Sequence, residues 1–70
     1  MKTERTPLNK EQQLRLVNLF KINEPMESCD LVTVGCIKKF EIKYANHEES
    51  IYARDDDMDF VVNGITLERN

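Results

Sequence analysis

The sequence predicts an α+β fold: an N-terminal helix packed on a small antiparallel sheet of three to five strands, joined as a meander of hairpins. Three stretches carry that expectation. "NKEQQLRLVNLF" repeats its apolar residues at helical spacing. "KKFEIKYA" alternates apolar and charged residues at the period of a half-buried strand. "FVVNGITL" sets Asn63-Gly64 between apolar, β-branched runs, as a two-residue hairpin turn requires. The chain has 70 residues, of which 40% are apolar and 33% charged. That is one domain over residues 1–70, with material for a modest core and too much of it for a disordered tail. A core of this size gives limited stability, so self-association or docking on a partner suits such a chain.

Taken in order, residues 1–8 show no periodicity and read as a flexible lead-in. The helix is expected over residues 9–23. Asn9 can cap it with Gln12 three residues on, and Thr6 ahead of Pro7 is the alternative cap. Leu16, Val17 and Phe20 share one face, Leu14 and Leu19 flank it, and Pro25 lies just past the end. "EPMESCD" reads as a connection, with the sheet following over residues 31–68. In "LVTVGCIKKFEIKYA", Gly35 marks a bulge or a break into two strands. A helix across residues 29–40 is the rival reading, opposed by the β-branched run Val32-Thr33-Val34. "NHEE" is a turn, "SIYAR" a short strand, "DDD" a second turn and "MDFVVNGITLER" the last hairpin.

The opening residues have no apolar segment of the secretory kind, and no apolar run approaches bilayer length. The expectation is a cytoplasmic protein with no membrane partner, its two cysteines free thiols. Cys29, Cys36 and His47 are too few and too irregularly spaced for zinc. Cys36, in an apolar run, reads as a small buried hydrophobe and His47 as an exposed turn residue. No group is placed to orient a Cys–His pair, so neither enzyme chemistry nor a cofactor is expected.

Charge is uneven along the chain. Residues 1–23 hold five cations and two acids, residues 24–48 three and five, and residues 49–70 two and six, for +3, −2 and −4. Within "RDDDMDF", Asp55, Asp56, Asp57 and Asp59 are crowded together. Alternate aspartates open a calcium loop, but Phe60 stands where such a loop needs Gly and Thr66 where it needs Glu, so no metal is assigned. A turn accounts for one or two aspartates through bonds to the local backbone. The surplus suggests an acidic face, extended by Glu48 and Glu49, that docks on a basic protein surface of the kind that holds nucleic acid. Tyr44 and Tyr52 are expected to face each other across a hairpin; exposed beside the acidic run, they would anchor the contact.

The function this predicts is that of a small non-enzymatic regulator or inhibitor acting through Asp55, Asp56, Asp57, Asp59, Glu48, Glu49, Tyr44 and Tyr52. The runner-up is a nucleic-acid-binding accessory protein using Lys10, Lys21, Lys38 and Lys39. Arg15 lies well off the line of the two helix lysines, and no basic recognition helix follows. A structural homo-oligomer, paired through strand edges or the helix face, is the third reading.

Overall fold

The computed structural model describes residues 2–65. Strand β1 (Thr3–Pro7) is followed by helix α1 (Lys10–Phe20), strands β2 (Met26–Val34), β3 (Ile37–Tyr44) and β4 (Glu48–Tyr52), and helix α2 (Asp55–Asn63). The four strands form one antiparallel sheet in the order β1-β2-β3-β4. Both helices contribute to a core on the same face, where Leu16 and Val61 meet Cys29, Phe40, Ile42 and Tyr44. The shortest dimension is 17 Å, room for two layers and no third, so among the described residues nothing packs over the other sheet face.

α1 begins as its sequence dictates. The Asn9 Oδ1 accepts from the Gln12 N–H at 2.8 Å, and the Asn9 N–H donates to the Gln12 side chain at 2.9 Å. This reciprocal box satisfies two amides the helix itself leaves free. Leu16 is buried and Phe20 sets its ring edge-on to Phe40 at 6.2 Å, while Leu14 and Leu19 stay exposed. The helix ends at Phe20, short of the expected residue 23, because Lys21 turns left-handed (φ 56°). The Ile22 N–H then closes on the Val17 carbonyl at 3.1 Å.

The N-terminal residues are not a loose lead-in: Thr3–Pro7 pairs along β2 from Val34 to Asp30. β2 begins at Met26, inside the stretch that reads as a connection. Its register shifts between Met26 and Ser28, a bulge that obscures the alternation in the sequence, and Cys29 then points into the core. Residues 29–40 are two strands, and Gly35 supplies the positive φ (62°) at the first of two turn positions between Val34 and Ile37.

The largest departure lies after β4. "DDD" is not a turn and Asn63-Gly64 is not a hairpin: residues 55–63 are helix α2, with Gly64 as its left-handed cap (φ 71°). The Gly64 N–H donates to the Phe60 carbonyl at 2.9 Å. Met58, Val61 and Val62 recur at helical spacing and pack on the core, with Val61 buried. Asn-Gly serves a helix end as well as a hairpin, since both need a left-handed residue. The expected sheet residues 66–68 lie outside the described residues.

Two side chains of α1 finish α2. The Arg15 Nε donates to the Val61 carbonyl at 3.0 Å and its Nη2 to that of Val62 at 3.4 Å, while the Gln12 amide donates to Val62 at 3.1 Å. These are among the carbonyls a helix leaves without partners at its C-terminus, and the cation also opposes the negative end of the helix dipole.

Candidate docking edge and adjoining cleft

In an antiparallel ladder, alternate residues spend both backbone groups on one neighbour, so the rest of an edge strand faces outward. Ala53 donates to the Lys38 carbonyl and Tyr44 to that of His47, each at 2.8 Å. Counting along the β3–β4 register, Glu49 and Ile51 bond to β3, and the N–H and C=O groups of Glu48, Ser50 and Tyr52 face away from the sheet. β1 has the same parity: the Leu8 N–H donates to Cys29 at 2.9 Å, which turns Thr3, Arg5 and Pro7 outward. Proline has no N–H, so the outer edge of β1 lacks a donor at Pro7. β4 carries no proline and no lysine; its charged guards are Glu48 and Glu49, which oppose a like-charged strand and not a basic one.

On the helix side of β4 lies a cleft of about 340 Å³, between the end of α1 and the strand, whose walls include Phe20, Tyr44, Glu49 and Ile51. Lys21 and Glu24 reach its rim. Tyr44 is buried, 5% exposed, and its hydroxyl donates to Glu49 at 3.3 Å. Burial first, and the Glu49 charge second, hold its phenol above the ordinary value. His47 stacks on the Tyr44 ring at 4.5 Å and sets Nε2 3.8 Å from Glu24. Two carboxylates and one ammonium, Lys21, thus line a half-apolar cleft.

The open sheet face carries the other half of the site. Across it, Arg5, Val32, Lys39 and Tyr52 form one row. Arg5 bridges Asp30 at 3.0 Å and Glu41 at 2.8 Å, and Lys39 approaches Glu41 at 3.5 Å. Val32 is 1% exposed without a helix above it; its cross-strand neighbours Arg5 and Lys39 have long aliphatic stems that shield it. Beyond this ion network the face turns apolar: Tyr52 is 76% exposed and Ile37 54%. They lie diagonally across β3 and β4, close enough to form one patch.

The predicted site residues are only partly brought together. Asp55, Asp56 and Asp57 form the first turn of α2, where carboxylates suit the positive end of the helix dipole. Asp57 accepts from the Arg54 N–H at 3.2 Å, so it is spent on the helix start. Asp55 and Asp56 remain exposed, three and four residues beyond Tyr52, while Asp59 is half-buried. Glu48 and Glu49 stand at the start of β4, about 10–14 Å from Tyr52 at the rise of a strand, and the aspartates follow beyond that far end, so the two glutamates do not extend the aspartate cluster. They also diverge: Glu49 faces the cleft and Glu48 the open side.

The two tyrosines do not pair. Tyr52 lies opposite Lys39, and Tyr44 lies near the other end of β3 against His47. The lysines of the nucleic-acid reading are scattered. Lys10 and Lys21 sit at opposite ends of α1, and Lys38 and Lys39, being adjacent on β3, point to opposite faces.

The cysteine expectation reverses: Cys36 is exposed in the β2–β3 turn, and Cys29 is the buried one. Burial, with Asp30 adding to it, pushes the Cys29 thiol up to about 12, so it stays protonated. Among the described residues no cluster of His, Cys, Asp or Glu has the form of a metal site, and no helix is long and apolar enough to cross a membrane.

Sequence reasoning missed Ser50, Pro7 and Ile37. Only the pairing order shows which strands are edges and which of their amides face outward. Set against protein-family models, curated proteins and solved structures, the chain matches none.

Proposed function

We propose that this protein is a small non-enzymatic regulator or inhibitor that docks on a basic surface of a partner protein through its acidic C-terminal half. The observation that carries this reading is Tyr52, 76% exposed beside Ile37 and a few residues ahead of the exposed pair Asp55 and Asp56. A large aromatic ring open to water makes a strong anchor when a partner covers it, and flanking charges select the partner's sign. The working set is therefore narrower than the acidic run: Tyr52 and Ile37 supply area, and Asp55 and Asp56 supply charge.

The test is capture from nuclease-treated lysate with the wild type, Tyr52→Ala and the double variant Asp55→Asn/Asp56→Asn. Asp57 is left in place because it holds the start of α2, and circular dichroism checks that each variant folds. Loss of a truncated anchor residue is expected to weaken binding at least about tenfold, since such residues are each worth more than about 1.4 kcal/mol. A partner retained equally by all three proteins would move the contact elsewhere.

A further inference from the structure

We propose that the outer edge of β4 accepts an extended segment of the partner, bearing lysine or arginine, as a fifth strand of the sheet. This rests on the reading of a basic partner and adds how it is held. The outward N–H and C=O groups of Glu48, Ser50 and Tyr52 form a ready ladder. Main-chain bonds of this kind provide affinity, and pockets for alternate side chains provide selectivity.

Both faces beside the edge offer such places. A strand added next to β4 runs about 4.8 Å from it and sends successive side chains to opposite sides. Those on the helix side enter the cleft of about 340 Å³, where Glu49 and Glu24 outnumber the one ammonium, Lys21, and favour a cation with a long apolar stem. Those on the open side lie along Glu48 and Tyr52. A second copy of this chain fits poorly. Pairing β4 with itself about Ser50 sets Glu49 diagonal to its own counterpart and puts four carboxylates in one short ladder. A basic segment replaces that repulsion with attraction. β1 is the less suitable edge, because Pro7 removes one of its outward donors.

The experiment follows amide exchange on the whole chain by NMR, with a capped decapeptide of alternating lysine and valine as the probe. Two controls accompany it: the same peptide N-methylated throughout, which keeps every charge and loses every backbone donor, and a glutamate–valine peptide. In the free protein, the Glu48, Ser50 and Tyr52 amides should exchange quickly and those of Glu49, Ile51 and Ala53 slowly. The basic peptide should slow Ser50 and Tyr52 at least about tenfold, as expected for a new hydrogen bond worth about 1.4 kcal/mol, and neither control should. Equal responses to the two basic peptides, centred on Asp55 and Asp56, would overturn strand addition and leave docking by charge intact. Protection along β1, or none with millimolar peptide, would overturn the edge assignment whatever the capture experiment finds. Protection of the three outward amides before any peptide is added, with a doubled mass in solution, would give the edge to a second copy and overturn it too.

Discussion

Arg15 ties together two helices whose contacting residues are 46 apart in sequence. Its guanidinium holds the Val61 and Val62 carbonyls and also pairs with Glu11 at 3.0 Å, one turn back on its own helix. The two roles differ in weight. The Glu11 pair is exposed and worth little, whereas a part-buried carbonyl left without its charged donor loses a bond that water replaces poorly. Arg15→Met, which keeps the stem, is expected to cost about 1.5–3 kcal/mol in urea unfolding. Glu11→Gln should cost less than about 0.5 kcal/mol. Equal losses would show that the i,i+4 pair, and not the cap, is what Arg15 contributes. Nothing in the sequence gave this role away, because Arg15 reads as one more cation on a helix wheel until a second helix end lies beside it.

The elements divide by how local their signals are. α1 was legible because its cap, its apolar face and the two residues of its box all lie within one stretch. β3 was legible because Phe40, Ile42 and Tyr44 alternate without interruption. α2 was misread although its marks were present: acids in the first turn, Met58, Val61 and Val62 at helical spacing, and glycine just past the end. Each mark has a second meaning in a hairpin, and in nine residues periodicity cannot choose between them. β1 has no local signal, since all five of its residues are exposed and only the pairing with β2 makes it a strand. The proposed site shares this divide: Tyr52 and the aspartates stand out in the sequence, whereas the outward direction of the β4 amides follows only from the strand pairing.

The two left-handed caps give a paired prediction. Lys21 holds φ 56° with a side chain that crowds its own backbone, so Lys21→Gly should stabilise the protein by about 0.5–1 kcal/mol. For a chain of this size that raises Tm by a few degrees, about 4–8 °C per kcal/mol. Gly64→Ala should cost about 1 kcal/mol through its φ of 71° alone, because a new Cβ would meet Arg15 only at 3.5 Å, an ordinary contact. A destabilised Lys21→Gly variant would mean that the lysine side chain contributes more than its backbone strain costs.

At the scale of the molecule, the open face is governed by the ion network around Arg5. Hydrogen bonding to Arg5 holds the Glu41 carboxyl below the ordinary glutamate value. The folded chain therefore binds fewer protons than the unfolded chain near that value. The stabilisation is fully present above about 4.3, the ordinary glutamate pKa, and is lost as pH falls through the lowered folded value. Urea midpoints followed from about pH 5 to about pH 3 at low salt should fall more steeply for the wild type than for Arg5→Met. Parallel slopes would remove Glu41 from the acid response. Added salt should flatten the difference, since Arg5 is half exposed.

The proline of β1 has a consequence for the sheet as a whole. A protein with one receptive edge and one unguarded opposite edge can repeat itself, each molecule offering its first strand to the last strand of the next, and such head-to-tail contacts grow into fibres. Here every junction of that series would set Pro7, with no hydrogen to give, against the free ladder of β4. The sheet can be extended on one side by something foreign, while each copy of the chain is a poor substrate for the copy before it. Pro7 thus takes one hydrogen bond out of every such junction, a standing handicap on growth from copy to copy.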